Sequence, residues 1–447
     1  MLESESGMLE KFFQHVESEI DLERIWQAWR ALRAPYGVSR RRPPFPIWAR
    51  RKFTEDGRQA WQLVRQEMAT IDPAKGMCLY VHIPFCAQKC SFCDCYSFRL
   101  RSNHARQAEA YRAALEKEIH VWGNFGGLRK RPVSTVHFGG GTPLYIGLQV
   151  FKSITNAISS VYQISPATEW ALETTSSALD EEGLDLLGEL GFKRIHVGVQ
   201  SLDDPLRQLL KRSEKAQKVL EKIEHTIQMG AVVSVDLIYG IPRQTPESVL
   251  QDIHHLANCG VDGFSMYPLQ ISSRNQGILK EYGSQGKSLI NEFFMLQAIE
   301  QELYHLGYRK TLFNHYARLK DTNLYFTFPE RGEDCLALGT IADGVMGGYH
   351  YRHPEYGAYL KEVGEDFPGL QGGLRRTGCE ENVQPLEVMI LSGKLKKEIF
   401  DRKIGAHRTA ALFQEWLETG LISSDGLDFT LTASGSWFAG EMMKRLE

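Results

Sequence analysis

The amino-acid sequence predicts an α/β protein whose centre is a partial (β/α)6 TIM-like barrel. From about residue 76, six short runs rich in β-branched residues alternate with longer amphipathic segments. Apolar residues at helical spacing over 8–34 precede this region, and the pattern changes again after residue 380. Strands that alternate with helices predict a parallel sheet with right-handed crossovers, and six units are fewer than the eight of a complete barrel.

The chain is predicted to divide into four segments. These are an N-terminal helical extension with a Pro/Arg-rich arm (1–75), the barrel (76–350), a linker (351–379) and a small C-terminal winged-helix-like domain (380–447). The helical pattern over 8–34 stops at Pro35, and the stretch 40–53 is rich in Arg and Pro, so it is predicted to be extended. We interpret that stretch either as a linker or as an arm that closes over an anionic substrate.

The barrel prediction rests on six candidate strands, each short and bounded by polar or glycine-containing segments. They are Leu79–Ile83, Thr135–Phe138, Trp170–Thr174, Arg194–Val199, Val232–Ile238 and Gly263–Leu269. The segments between them are long enough for helices, and Thr245-Pro246 is a typical helix start. In the last segment of the chain, helical patterns are followed by a short turn at Asp425-Gly426, as expected of a small hairpin.

Composition excludes several classes of protein. The 447 residues are 43% hydrophobic and 24% charged, with a net charge of −3, which is typical of a globular chain with a large core. The chain has no long Lys/Arg block of the kind that indicates nucleic-acid binding. It also has no apolar run as long as a membrane span. Residues 1–20 lack the pattern of a signal peptide, so we expect a cytoplasmic location.

The cysteines are unevenly distributed along the chain. Of the eight, Cys86, Cys90, Cys93 and Cys95 fall within ten residues. A disulfide framework would spread its cysteines, so this cluster indicates a metal site in a reducing compartment. The other four, each isolated, are interpreted as buried small apolar residues.

The cysteine cluster lies in the string Tyr80-Val-His-Ile-Pro-Phe-Cys86-Ala-Gln-Lys-Cys90-Ser-Phe-Cys93-Asp-Cys95, directly after the first predicted strand. Three thiolates on a [4Fe-4S] cube leave one iron without a protein ligand, and that iron can bind S-adenosylmethionine (SAM). A zinc knuckle is disfavoured because no second ligand pair follows at a usable distance. A four-thiolate cluster that includes Cys95 is disfavoured because the spacing differs from that of ferredoxins.

The CxxxCxxC spacing is similar to that of the radical SAM superfamily, and the longer string resembles the branch that contains the oxygen-independent coproporphyrinogen III oxidase. The resemblance covers about 76–350 and more loosely the tail. It implies a barrel of the radical SAM type and a [4Fe-4S] cluster held by Cys86, Cys90 and Cys93. It also implies SAM as cofactor, with two molecules as one possibility, and an electron donor such as flavodoxin or ferredoxin.

Further motifs agree with that branch in the same order. The run His137-Phe-Gly-Gly-Gly-Thr-Pro143 follows the second strand, where close backbone approach to SAM is expected. By resemblance, the SAM-binding residues are Tyr80, Gly140, Gly141, Thr142, Glu173, Gln200, Arg212, Asp236, Gln270 and Asp343. Cys95, His315 and Arg318 are the residues expected to act on the substrate, with His315 and Arg318 facing a tetrapyrrole.

The resemblance leaves three functions open, two of them enzymatic reactions, and the haem-degrading reaction is preferred. The string Arg42-Pro-Pro-Phe-Pro, the segment Leu336-Ala-Leu-Gly-Thr and the tail from Leu431 look more like the anaerobic haem-utilisation enzymes. Those are radical SAM methyltransferases that open the haem macrocycle, release iron and form a linear tetrapyrrole. Cys95 instead matches the oxidase, which decarboxylates coproporphyrinogen III. The third reading is a haem chaperone of the same branch, although chaperones usually have phenylalanine at the position of Cys95.

Overall fold

The computed structural model describes residues 7, 9–33, 36, 44, 49, 51–100, 104–125, 127–312, 314–426 and 428–447. Most of the predicted arm at 40–53, including Arg42, lies outside these residues. None of the helices in these ranges combines the length and the apolar character that crossing a bilayer requires.

The strands form one large mixed sheet and two small ones. In chain order they are β1 Glu55–Asp56, β2 Met77–Ile83, β3 Phe85–Cys86, β4 Phe98–Arg99, β5 Val133–Gly140, β6 Glu169–Thr174, β7 Phe192–Gln200, β8 Val232–Tyr239, β9 Gly263–Pro268, β10 Arg309–Leu312, β11 His315–Ala317, β12 Asp334–Leu338, β13 Asp343–Met346, β14 Tyr349–Arg352, β15 Gly372–Arg375, β16 Lys394–Leu395, β17 Ile422–Ser424 and β18 Phe429–Leu431.

The helices cover the outer side of the parallel strands and make up most of both ends of the chain. They are α1 Leu22–Arg33, α2 Gly57–Thr70, α3 His104–Gly123, α4 Leu148–Val161, α5 Glu181–Glu189, α6 Asp204–Leu209, α7 Ala216–Gln228, α8 Pro246–Cys259, α9 Leu289–His305, α10 Tyr356–Glu362, α11 Gly378–Ser392, α12 Lys397–Ile404, α13 Ala406–Glu418, α14 Ala433–Trp437 and α15 Ala439–Lys444. Short 3₁₀ turns occur at Leu128–Lys130, Pro143–Ile146, Ser176–Ala178 and Gln276–Gln285.

The six predicted strands are all present and lie side by side in parallel as β2, β5, β6, β7, β8 and β9. The fold is therefore the α/β arrangement that the sequence predicts. The sheet also extends beyond the prediction, because β12 adds a seventh parallel strand beside β2. Antiparallel strands continue it on both sides, through β13, β14, β15 and β1 at one edge and β11 and β10 at the other.

The core follows from the burial pattern of the parallel strands. Six of the seven residues of β2 are buried, as expected of a strand covered on both faces. Helix α8 starts with Pro246 after a Thr245 cap and ends at Gly260, which takes a left-handed conformation. These start and stop signals place the following strand at the correct distance for a right-handed crossover.

The two ends of the chain pack against each other and the barrel. Trp29 of α1 packs against Phe293 and Phe294 of α9 in tilted and edge-to-face geometry, at 5.8 and 5.7 Å between ring centroids, and Trp437 also contacts Phe293 edge to face. After residue 378, five helices surround the small antiparallel sheet β16-β18-β17. The winged-helix-like arrangement of this region stays a prediction.

Helix α11 provides a test of local stability. Thr377 Oγ1 accepts the Glu380 N–H, and the Glu380 carboxylate accepts the Thr377 N–H at 2.7 Å, which together form a capping box. We expect Thr377→Ala to lower the free energy of unfolding by about 1 kcal/mol, because an N–H at the helix start loses its partner. Urea unfolding followed by circular dichroism measures this loss. Thr377→Ser keeps the hydroxyl, and an equal loss in that variant would contradict the capping explanation.

Candidate cofactor and substrate site

A cavity of about 480 Å³ opens at the carboxyl ends of the parallel strands. Twelve of the sixteen predicted site residues line it, namely Cys86, Cys90, Cys93, Cys95, Gly140, Gly141, Thr142, Glu173, Gln200, Arg212, Asp236 and Gln270. Because the carboxyl ends of parallel strands meet at one edge, residues far apart in the sequence come together there. We call this the main cavity.

Cys86, Cys90 and Cys93 lie on the loop that follows β2, and all eight cysteines of the chain are free thiols. Burial raises the pKa of Cys86 and Cys90, and the neighbouring Cys93 thiolate raises both further. Within the described ranges, no three His, Cys, Asp or Glu side chains converge as ligands of a single metal ion. Three cysteine thiols from one short segment that line one cavity are the donor set that a [4Fe-4S] cluster with one open iron takes, so these residues fit that group.

Cys95 and Lys89 complete the cysteine loop. A hydrogen bond from the Cys95 thiol lowers the pKa of Cys93 to about 5, while the same contact raises the pKa of Cys95. The Lys89 ammonium donates to the Cys95 carbonyl at 2.6 Å and to Ser97 Oγ at 3.0 Å. Lys89 therefore joins the two halves of the loop.

The glycine run after β5 packs directly on the cysteine loop. Gly141 N–H donates to the Ile83 carbonyl and Thr142 N–H to the Phe85 carbonyl, both at 2.7 Å. A Cβ at Gly141 would overlap the Phe85 carbonyl, and Gly140, with φ of 106°, lies against the ring of His82. Only glycine permits both the backbone angle and the close approach, which explains the run.

His82 fixes the same region from inside the barrel. Its Nε2 donates to the Tyr96 carbonyl at 3.2 Å, and its Nδ1 accepts from the Tyr80 hydroxyl at 3.0 Å. Burial lowers the pKa of His82 to about 4, so the ring is neutral and one nitrogen can accept. Tyr80 thereby contacts the site through His82, although it does not line the main cavity.

Two histidine–carboxylate pairs lie on neighbouring strands of the cavity wall. His137 of β5 donates to Glu173 of β6 at 2.9 Å, and His196 of β7 donates to Asp236 of β8 at 2.5 Å. Burial alone would raise the pKa of Glu173, but the hydrogen bond and the electrostatic effect of His137, with weaker help from His196 and Arg194, lower it to about 2. The Glu173 carboxylate is therefore ionised and can accept hydrogen bonds from a ligand.

The structure does not bring His315 and Arg318 to the main cavity, contrary to the expectation that they face the substrate. His315 is 1% exposed, and its Nε2 donates to Asp321 at 2.8 Å. Asp321 also accepts from Arg194 at 2.9 Å, inside the barrel. Arg318 lies beyond the amino end of β9, over the Tyr308 ring at 4.5 Å. Since β11 runs antiparallel to β9, a residue after β11 falls at the edge opposite the cavity.

Asp343 also lies outside the main cavity. It starts β13 and forms an ion pair with Arg352 of β14, which stacks over Phe53 at 5.4 Å. These residues line a separate cavity of about 280 Å³. The preceding strand β12, Asp334–Leu338, rather than this carboxylate, is the part of the segment that pairs with β2.

Sequence reasoning missed several residues that the structure places in the cavity wall. They are Lys89, His196, Arg207, Lys211, Tyr267 and Phe326. His196 and Tyr267 each lie on a predicted strand, two residues before Gly198 and Leu269, which also line the cavity. The period of two along a strand would have pointed to their inward orientation. Phe326 comes from the segment between β11 and β12, for which the sequence carries no clear periodic pattern.

Comparison with known proteins defines the class to which this site belongs. Residues 80–256 match the radical SAM superfamily model, and this match includes the cysteine loop, the glycine run and strands β5 to β8. Residues 80–256, which carry the cysteine loop and much of the main cavity wall, are therefore a radical SAM domain, a class whose members use a [4Fe-4S] cluster and SAM.

Individual relatives extend the similarity beyond that domain. The chain is 25% identical over 400 residues to the anaerobilin synthase of Escherichia coli O157:H7, which covers 87% of both chains. It is 29% identical over 345 residues to the oxygen-independent coproporphyrinogen III oxidase of Escherichia coli K12, covering 73% of both. The solved structure of coproporphyrinogen III oxidase from Escherichia coli superposes with a TM-score of 0.76 and 23% identity, over 88% of this chain and 94% of that one. This superposition confirms the fold.

Proposed function

We propose that this protein is an anaerobic, haem-degrading radical SAM methyltransferase that opens the porphyrin ring, releases the iron and forms a linear tetrapyrrole. The observation that carries the proposal is the extent of the similarity to the relative named anaerobilin synthase, which covers 87% of both chains. The similarity to the oxidase of E. coli K12 covers 73%. Both names refer to tetrapyrroles, which supports that class of substrate.

In this proposal Cys86, Cys90 and Cys93 hold the cluster. Their common position in the wall of the main cavity, together with the effect of Cys93 on the pKa of Cys86 and Cys90, supports that assignment. When bound there, the cluster would supply the electron that cleaves SAM into methionine and a 5′-deoxyadenosyl radical. An external low-potential donor, such as flavodoxin or ferredoxin, would provide that electron.

The residues of the cavity wall then bind and orient SAM. The ionised Glu173 accepts hydrogen bonds from ribose hydroxyls, and the backbone at Gly140 and Gly141 allows close approach. Arg212, whose guanidinium lies near the Cys90 thiolate and 5.6 Å from the Phe92 ring, pairs with a carboxylate. Gln200, Asp236 and Gln270, which also line the main cavity, would contribute further polar contacts to SAM. A second SAM molecule would donate the methyl-derived carbon.

Cys95 acts on the substrate rather than as a cluster ligand. Cys95 is an exposed residue that lines the main cavity, and the contact with Cys93, together with burial, raises the pKa of its thiol, which keeps its proton. The clustering of four cysteines within ten residues, which is typical of a metal site and not of a disulfide framework, supports a reducing cytoplasm as the site of action.

The proposal is tested by anaerobic turnover of the cluster-reconstituted protein with SAM and a reductant, with mass spectrometry of the tetrapyrrole products. We expect a methylated, iron-free linear product from haem. Protein with Cys93→Ala is the control, and it should leave haem unchanged. Recovery of unmodified haem with the wild-type protein would contradict the proposal.

A second function, oxidative decarboxylation of coproporphyrinogen III, is favoured by the higher identity to the oxidase, 29% against 25%. Coproporphyrinogen III is therefore offered in a parallel reaction. Loss of two CO2 per molecule would establish the oxidase in place of the methyltransferase. Tight haem binding without change to either tetrapyrrole would establish the chaperone.

A further inference from the structure

Two cationic side chains of the main cavity have no anionic partner among the described residues. The described lining contains four carboxylates, and each already lies against a basic side chain; the pairs are Asp94 with Arg274, Glu173 with His137, Glu214 with Lys222 and Asp236 with His196. Among the lining cations, Lys89 and Arg207 donate to main-chain carbonyls. In the described part of the chain, the side chains of Lys211 and Arg212 have neither a carboxylate nor a carbonyl partner.

The backbone at Lys211 is unusual for a residue with a side chain. Helix α6 ends in a Schellman motif, in which Arg212 N–H donates to the Arg207 carbonyl at 2.8 Å and Lys211 N–H to Gln208 at 3.0 Å. This motif puts Lys211 in the left-handed region, with φ of 59°. After α8 and α11 the corresponding left-handed residues are Gly260 and Gly393.

The lysine at position 211 therefore costs conformational free energy that glycine would avoid. Strained backbone at a cavity is a recurrent sign of function, because the side chain must provide something that offsets the strain. Here that side chain is an exposed ammonium without a protein partner, at the cavity wall. A cation in this situation fits an anionic ligand group.

Arg212 and Lys211 differ in depth, which separates their roles. Arg212 is half-buried, its Nε is fully buried, and its guanidinium lies above Gly198 and close to the Cys90 thiolate. Lys211 is exposed, and its carbonyl faces Gln88 at the outer side of the cysteine loop. The Arg212 guanidinium thus lies beside the proposed position of SAM, whereas Lys211 lies nearer solvent.

We propose that Lys211 is a specificity-determining residue that binds a carboxylate of the substrate at the mouth of the main cavity. This inference rests on the proposed function, because the two propionate groups of haem are the carboxylates in question. A lysine pairs with such a group as a point charge and can follow it as the ring moves. The carboxylate of SAM has the same chemistry, so the test separates the two sources.

The test measures dissociation constants for haem, haem dimethyl ester and SAM with the cluster-reconstituted protein, using Soret difference spectra and equilibrium dialysis. Lys211→Gly suits the left-handed backbone, so a thermal melt should show no loss of stability. We expect this variant to bind haem about tenfold more weakly, because one charge-assisted contact is lost. The dissociation constants for haem dimethyl ester and for SAM should not change. Lys211→Arg should restore haem affinity, and Lys218→Ala, which removes an exposed lysine of α7, should leave it unchanged.

Several outcomes would overturn the inference. Equal weakening for haem and its ester would show that shape, not charge, is recognised at this position. Weaker SAM binding with unchanged haem affinity would assign Lys211 to the SAM carboxylate. Equal haem affinity in wild type and Lys211→Gly would show that Lys211 has no role in haem binding. The proposed function of the protein would be unaffected by that result. If the wild-type protein bound no haem, the proposed function itself would fail, and the assignment to a haem propionate would fall with it.

Discussion

Replacement of Cys86, Cys90 or Cys93 by alanine is expected to lower 5′-deoxyadenosine formation from SAM by about a thousandfold or more, equivalent to at least about 4 kcal/mol in activation free energy. Each thiolate is proposed to anchor one iron of the cluster, and a missing anchor prevents electron transfer to SAM. All three line one cavity, and Cys93 raises the pKa of both Cys86 and Cys90. Liquid chromatography with mass spectrometry quantifies the nucleoside, and a colorimetric assay quantifies bound iron.

Two further cysteines serve as controls for that series. Cys379 is exposed at the start of α11, away from the main cavity, so Cys379→Ala should behave as wild type in both assays. Cys95→Ala should retain the iron content of the wild-type protein but form less tetrapyrrole product. The ligand assignment would be wrong if any of the three single variants still cleaved SAM at the wild-type rate.

Asp321→Asn is expected to lower the free energy of unfolding by about 3–5 kcal/mol, the range for removal of one partner of a buried ion pair. Asp321 and Arg194 are both under 2% exposed in their side chains and lie 2.9 Å apart. Asp321 also accepts hydrogen bonds from His315 and Ser234 at 2.8 and 2.9 Å. The variant leaves the Arg194 guanidinium buried without a counter-charge, which is the source of the loss. Chemical denaturation of both proteins at neutral pH measures it.

The same carboxylate gives stability a defined pH dependence. Burial alone would raise the pKa of Asp321, but Arg194 and His315 lower it well below its usual value of 3.8. Below that usual value, the unfolded chain binds a proton that the folded protein does not. The stabilisation from Asp321 is therefore complete above about pH 4 to 5 and decreases as the pH falls toward the folded pKa.

A matched carboxylate shows whether this dependence belongs to the buried pair. Asp185 is exposed on α5, so Asp185→Asn should change stability by no more than about 0.5 kcal/mol. The wild type and Asp185→Asn should lose stability in parallel below pH 4, whereas Asp321→Asn should lose less over the same interval. Identical acid profiles for all three proteins would contradict the assignment.

The sequence was sufficient to predict the six central strands and most of the main cavity. Fully buried strands such as Phe192–Gln200 produce runs of β-branched and small residues, and the carboxyl ends of those runs identify one edge of the sheet. Cys86, Glu173 and Asp236 all follow from that rule, and the structure brings them together. Local patterns and parallel topology thus determine this part of the site.

The remaining features depend on contacts that no local pattern encodes. Strand β12, Asp334–Leu338, starts with a charged residue and lacks β-branched side chains, so its pairing with β2 could not be read from propensity. His315 was expected to face the substrate, yet the antiparallel direction of β11 aims it at Asp321. Lys211 was missed because a left-handed lysine has no signature in the sequence beyond the helix that ends before it.

The position of β12 affects the order in which the protein is assembled during synthesis. Strand β2, which leads into the cysteine loop, pairs with β5 on one side and with β12 on the other. The second pairing, in which Leu336 lies opposite Leu79, requires a much later part of the chain. Until residue 338 has left the ribosome, β2 is an exposed sheet edge at the barrel opening. Parallel contacts across such a long stretch of chain also form slowly, because the loop-closure entropy must be overcome first. We therefore expect the cluster to be inserted after translation, into a barrel whose last parallel strand is already in place.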